Sequence, residues 1–405
     1  MPDTLFGNDA VPLDLLTERA HNYRWAEVDP GVIPLTAADP DFAVAQEIRD
    51  AISRYAQEGV FSYGPHRGTP SLRIAMAREL SSRGYSGVDA QRILPLDSAA
   101  SCMYAIARAF LKEGEEMIIF DPVDFLFEQA ATSVGGRVRR CSYDPGTRAF
   151  RLGELDRLVT PKTRMIGVCN PHNPLGRLMT DDELETIARF ARKHDLWILN
   201  DEVWSDIVFP PRSFSSFHHL PDSLHERVIT VHGFSKSFGL AGLRIGTILA
   251  PSEAAYSKIL NASHVMSTAG GASTLSQVAA ETALDHCRYW VDDFVAHLAG
   301  LRDLAVERLN AMPGVCCEAP EATYLLFPNI RETGLEPEEL TEYLKKNAHV
   351  AVIPGNDQFF GPGGAGHIRL CFATSKKLLV EALDRMDAAM HALAKNQDRF
   401  SSHRN

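Results

Sequence analysis

The chain has 405 residues, 45% hydrophobic and 23% charged, which suits a soluble globular protein with one large and one smaller domain. A formal net charge of −11 and a pI near 5.8 argue against general binding to nucleic acid or an anionic membrane. No apolar run is long enough to span a bilayer, and the opening MPDTLFGNDAVPLDLLTERA lacks the layout of a secretory signal, so the cytoplasm is the expected compartment.

Residues 1–37 mix polar and apolar positions around a short apolar run, Val32–Leu35. A helix is expected from Phe42 to about Glu58, then a loop, Phe61-Ser-Tyr-Gly-Pro-His-Arg-Gly, rich in turn formers and rings. A second helix, Ser71–Arg83, stops at Gly84. Strands and helices then alternate. Ile93–Leu96 reads as a strand, Ser98–Leu111 as a helix, and Met117–Phe120 as a strand ending at Asp121-Pro122. Met165–Cys169 runs into Asn170-Pro-His-Asn-Pro-Leu-Gly. Thr180 and Glu183 form a capping box for a helix Asp182–His194. Strands Trp197–Leu199, Val228–Val231 and Ile245–Leu249 follow. Short apolar strands between amphipathic helices imply a mostly parallel sheet covered on both faces, with ligands at the carboxyl ends of its strands. After about residue 290, longer helices (Tyr289–Leu309, Pro337–Asn347, Lys376–Ala394) flank strands at Tyr324–Phe327 and His367–Phe372, a pattern of a smaller α+β domain.

Several polar groups stand just after a strand. Ser98-Ala-Ala-Ser opens a helix, where free N–H groups favour an anion such as phosphate, although an ordinary serine cap reads the same way. Asn170-Pro-His-Asn-Pro-Leu-Gly-Arg holds two asparagines in a stiffened loop, able to donate to a phenolate or carboxylate or simply to cap a turn. Asp201 can hold the charge of a protonated ring nitrogen or cap the next segment. Lys236, at the mouth of the strand Val228–Val231, is either a reactive amine or a solvated turn residue. Arg244 can complete a phosphate clamp, and Arg369, in an apolar strand, either pairs with an acid or receives a substrate carboxylate. Gly361-Pro-Gly-Gly-Ala-Gly has dinucleotide-fingerprint spacing but lacks the strand before and helix after it, so it reads as a flexible loop. Gly233-Phe-Ser-Lys-Ser lacks the final glycine of a nucleophile elbow. The seven scattered cysteines, without a CxxC pair, suit a reduced compartment and buried thiols.

Taken together, from about Ile33 to Met386, these motifs resemble the class I/II aminotransferase family, enzymes of fold type I that use pyridoxal 5'-phosphate (PLP). The resemblance implies a large PLP-binding domain over 41–290 with a mostly parallel seven-stranded sheet between helices. An N-terminal arm and small-domain segment would occupy 1–40, and a C-terminal small domain 291–405. It implies that Lys236 forms the Schiff base with PLP and shuttles the proton between Cα and C4′, while Asp201 keeps the pyridine nitrogen protonated. Asn173 would donate to the ring O3′; Ser235, Arg244 and the N–H groups of Ala99 and Ala100 would hold the phosphate. Tyr63 matches a tyrosine that reaches the neighbouring subunit's cofactor, which implies a homodimer. Arg369 matches the arginine that binds the α-carboxylate of an amino-acid substrate.

Ala-Asp-Pro-Asp-Phe (38–42), with Ala38 placed at the substrate site, is similar to the cystathionine β-lyase-like C–S lyase branch, as are the loops at 169–174, 320–325 and 369–375. The lysine segment, with Gly239 and Arg244, is similar to ordinary aminotransferases. Three departures stand out. Trp204 occupies the place of a tyrosine that donates to O3′, Gly233 replaces a serine, and Asp124 stands where an aromatic normally stacks on the ring. Phe125 or Phe127 is the substitute for stacking, and Asp124 is either a contact for a cationic or hydroxylated side chain or a solvated loop acid. The expected activity is transamination, with β-elimination of a thiol as the alternative and a non-catalytic PLP-binding module as an alternative of another class. No nucleic acid, membrane or metal is expected as a partner.

Overall fold

The computed structural model describes residues 5–402, which fall into two compact units. One comprises Val44–His172 and Arg177–Asp292 and is built on an eight-stranded sheet. Its strands are β1 (Ile93–Leu96), β2 (Glu116–Asp121), β3 (Arg137–Asp144), β4 (Ala149–Phe150), β5 (Thr163–Cys169), β6 (Trp197–Asp201), β7 (Val228–Gly233) and β8 (Gly246–Leu249). They lie in the order β1-β8-β7-β6-β5-β2-β3-β4. The pairs β7–β6, β6–β5, β5–β2 and β2–β3 are parallel, whereas β8 runs against both neighbours and β4 against β3.

Every residue of β1 and β8 is buried, as a strand covered on both faces requires, and this is why such strands read as continuous apolar runs. The sheet has one strand more than the seven expected, and β4 is a two-residue addition at the edge. The neighbouring β3 carries Arg137, Arg139 and Arg140 and buries only Cys141 fully, so it has no apolar run to announce it. The helix Asp181–Lys193 opens with both halves of the capping box: Glu183 N donates to Thr180 Oγ1 at 3.2 Å, and Thr180 N donates to Glu183 Oε2 at 2.9 Å.

The second unit gathers residues 5–43, Asn173–Gly176 and 293–402. Ile368–Cys371 is the middle strand of an antiparallel trio with Leu325–Leu326 and Ile353–Pro354. Ile33–Pro34 pairs in parallel with Val350–Ala351. Phe42, expected to open a helix, instead meets Phe6 edge-on at 5.0 Å in a buried aromatic cluster, and the helix starts only at Gln46. The glycine loop at 361–366 is closely approached by its neighbours: a Cβ on Gly355 would stand 2.2 Å from the Gly364 carbonyl oxygen. All seven cysteines are free, and only Cys316 is exposed. Among the described residues, no helix is long and apolar enough to cross a membrane.

Burial also sets a pH dependence. It pushes the imidazoles of His172, His218 and His232 down to about 3, with neighbouring positive charge adding to the effect. His367 is likewise pushed down to about 4, chiefly by burial. A depressed histidine leaves stability intact above the unfolded value of about 6.5 and removes it as pH falls from there towards the folded value. Asp201 and Glu202, raised by burial, work the other way, so four groups oppose two. Thermal unfolding at pH 5 is expected several degrees below that at pH 7.5. An unchanged or higher midpoint at pH 5 would contradict the assignment of these histidines as buried and neutral.

Candidate active site

The carboxyl ends of β1, β2, β5, β6 and β7 all open on one edge of the sheet, because these strands share a direction. From β1 the chain enters the helix Ala99–Phe110, whose cap Ser98 accepts from Ser101 N at 3.0 Å. The first-turn N–H groups of Ala99 and Ala100 lie beyond the reach of the helix's own carbonyls. A Cβ on Gly246, the first residue of β8, would stand 2.5 Å from Ala99 N, so only glycine lets β8 approach this helix start. Arg244, just before β8, has a left-handed backbone with φ 52° and is exposed.

Asp201 ends β6, between Cys169 of β5 and Val231 of β7, and is buried. Its Oδ1 accepts from Val203 N at 3.1 Å. Burial pushes its carboxyl up to about 7; the charges of Asp124 and Glu202 add to this, and Lys236 and the Val203 N–H oppose it. Lys236 lies in the single helical turn Ser235–Phe238, with its Nζ 5.3 Å from the centre of the Trp204 ring. Trp204 is itself buried. Asp124, in the loop after β2, is half-buried and accepts from Leu126 N at 3.1 Å, capping the helix that follows. Of the two substitutes for a stacking ring, Phe127 is fully buried against Gly167 of β5 and belongs to the core, while Phe125 is half-buried.

Two supporting groups escaped the sequence reading. Ser237, next to Lys236, donates to Asp206 Oδ2 at 2.6 Å, and Asp206 is held by Arg83 at 2.7 Å and Arg288 at 2.6 Å. Glu202 faces away from Asp201, as alternation along a strand demands, and accepts from Tyr85 at 2.5 Å, Ser216 at 2.6 Å and Asn200 at 2.7 Å. The Asp-Glu-Val-Trp-Ser-Asp run carries both acids, but only the fold supplies their partners.

In the second unit, Arg369 is buried within its strand. Its Nη1 donates to Asn173 Oδ1 at 3.3 Å and its Nη2 to the Thr36 carbonyl at 3.1 Å. The carbonyl of Ala38 accepts from Tyr324 OH at 3.3 Å. Tyr63, in the sheet-bearing unit, is 89% exposed and lines a pocket of about 520 Å³ with Phe61, His66, Val265 and Thr268; none of the other candidate residues lines it.

This arrangement has known counterparts. The sequence model described as aminotransferase class I and II matches residues 30–386. An aspartate aminotransferase of Pyrococcus abyssi is 34% identical over 363 residues, 89% of this chain and 92% of its own. The crystal structure of an aromatic aminotransferase from Pyrococcus horikoshii superposes with a TM-score of 0.84 at 32% identity, covering 91% of this chain and 97% of the other. Cystalysin from Treponema denticola superposes with a TM-score of 0.86 over 93% of this chain and 97% of its own; at 22% identity it is a likeness of fold alone. The chain belongs to the class I and II aminotransferase family. It is a PLP-dependent aminotransferase acting on amino acids, and the loops similar to C–S lyases sit within a chain whose overall similarity is to aminotransferases.

The residues present fit PLP. A buried carboxylate raised by desolvation gains from a cationic ring nitrogen, and the cradle that Gly246 leaves at the start of Ala99–Phe110 suits a phosphate.

Proposed function

We propose that Lys236 carries the cofactor and is the base that moves the substrate's Cα proton. The observation that supports this most is that Lys236 stands in the turn just past the sheet edge at which buried Asp201 ends its strand, with its Nζ 5.3 Å from the buried Trp204 ring. Bound there, PLP supplies the electron sink that makes a Cα proton removable. Asp201 holds the cationic ring nitrogen, and its own burial makes that pairing strong. Ala99 N–H, Ala100 N–H, Ser235 and Arg244 hold the phosphate, Asn173 and Trp204 adjoin the ring, and Arg369 takes the substrate's α-carboxylate as a fork while Ala38 borders the substrate. Arg369 suits that role because it is buried in its strand and its guanidinium is oriented by Asn173 Oδ1 and the Thr36 carbonyl. Lys236 Nζ would hold the proton taken from Cα and pass it on within the bound substrate and cofactor; water would then release the 2-oxo acid, and a second 2-oxo acid would take up the amino group in the return half-reaction.

We further assign Asp124 to the substrate side chain. Its coupling to Asp201 supports a place at the same edge of the sheet, and a carboxylate there favours cationic or hydroxylated side chains over acidic ones. A second copy of the chain fits the face around Tyr63, where Val60 (65%), Phe61 (62%) and Met266 (53%) are also exposed.

Four measurements bear on this reading. Replacing Lys236 by Ala should abolish the visible absorbance of the PLP-loaded protein and lower kcat by more than about a thousandfold, the scale of a lost base and nucleophile; an intact band would reject the assignment. Incubated with cystathionine alone, the enzyme should stall after one turnover, whereas continuous pyruvate release would mark it as a C–S lyase. Asp124→Asn should lower KM for aspartate and raise it for arginine, each by roughly tenfold, and equal KM values for both variants would exclude contact with the side chain. Sedimentation should give about twice the 44.7 kDa of one chain, and a monomer mass would remove Tyr63 from the site.

A further inference from the structure

Trp204 follows Asp201 by three residues and is 2% exposed, and its ring faces the Lys236 nitrogen at 5.3 Å. An aromatic face carries negative quadrupole density, so it attracts an ammonium and is indifferent to a neutral amine. The attraction strengthens where water is excluded, which is the setting of a buried indole. The ring is bulky and buried, and the backbone that carries it is tied: Trp204 O accepts from Ile207 N at 2.9 Å, and Val203 N donates to Asp201 Oδ1 at 3.1 Å. On the other side, Ser237 is anchored through Asp206, so the backbone next to Lys236 is held as well.

We propose that Trp204 is a positioning residue that holds the Lys236 nitrogen over its ring face and favours the cationic form of that nitrogen, setting the pH range over which the lysine can act as a base. The proposal rests on the reading of Lys236 as the reactive lysine. Other charges also bear on this nitrogen. Asp201 is coupled to it directly, while Asp124 and Glu202 are coupled to Asp201. Asp206 lies behind Ser237 with Arg83 and Arg288, and Arg244 stands at the end of the same glycine-punctuated segment. These are all left in place when only the indole is changed, so the contribution of the ring can be isolated.

The sign of the effect separates this role from simple packing. Removing the π face withdraws support from the cation, so the pKa of the nitrogen falls. Removing only a packing element admits water, which favours the cation and raises the pKa. The test compares the full-length PLP-loaded protein with Trp204→Leu, Trp204→Met and Trp204→Phe, titrating the visible absorbance with pH. A second readout on each full-length protein, stripped of PLP, is the pH dependence of reductive methylation at Lys236, followed by mass spectrometry. Leu and Met should lower both apparent pKa values by about half a unit to one and a half units, and Phe should restore part of the loss. Unchanged or raised values in both Leu and Met would overturn the proposal. Met keeps most of the apolar volume, so it decides the matter if Leu fails to fold. Borohydride reduction of the loaded wild type should leave the PLP adduct on the Lys236 peptide. An adduct elsewhere defeats the reading of Lys236, whereas the methylation series tests the ring contact independently.

Discussion

A carboxylate buried at the end of a central strand is expensive to keep charged, and Asp201 is such a group. Its carboxyl is pushed up to about 7, chiefly by burial, with the charges of Asp124 and Glu202 adding to it and the Val203 N–H and Lys236 opposing it. The Val203 N–H and the charge of Lys236 supply part of the compensation. The strand on which Asp201 sits is flanked by parallel β5 and β7, so its end cannot move without disturbing two neighbours.

The remaining parts of the sheet-bearing unit serve the same edge. The reversal of β8 matters most: because it runs against β1 and β7, the segment from Gly239 to Gly246 returns to the edge where Lys236 lies. That return requires a residue without a side chain at Gly246, and it leaves Arg244 with a left-handed backbone, a conformation that non-glycine residues adopt at a cost. Ser237 and its chain through Asp206 to Arg83 and Arg288 stiffen the turn from behind. The lysine is thus mounted on a braced single turn between an acid and an aromatic ring.

Much of this was legible in the chain. Buried strands wrote themselves as apolar runs, Ser98 as a cap and Thr180 with Glu183 as a capping box, since each signal is local and depends on neighbours only a few residues away. The misreadings were of another kind. The strand β3 was invisible because a strand carrying Arg137, Arg139 and Arg140, with only Cys141 fully buried, satisfies no apolar pattern. The helical pattern near Phe42 was overridden by an aromatic cluster with Phe6 and Phe294, contacts that lie far along the chain. At 361–366 the glycines also permit close approach of neighbouring backbone, which only the packed chain reveals.

The sequence by itself determined the residue types available for chemistry and the buried strands that several of them follow, since residue type and hydrophobic period are properties of the chain alone. It could not determine the state in which those residues are held. That Asp201 is desolvated, that Trp204 turns a ring face to Lys236, and that Arg369 is oriented by Asn173, 196 residues away, are consequences of three-dimensional placement. Desolvation, cation–π attraction and hydrogen-bond direction depend on distance and orientation, which only the tertiary structure decides.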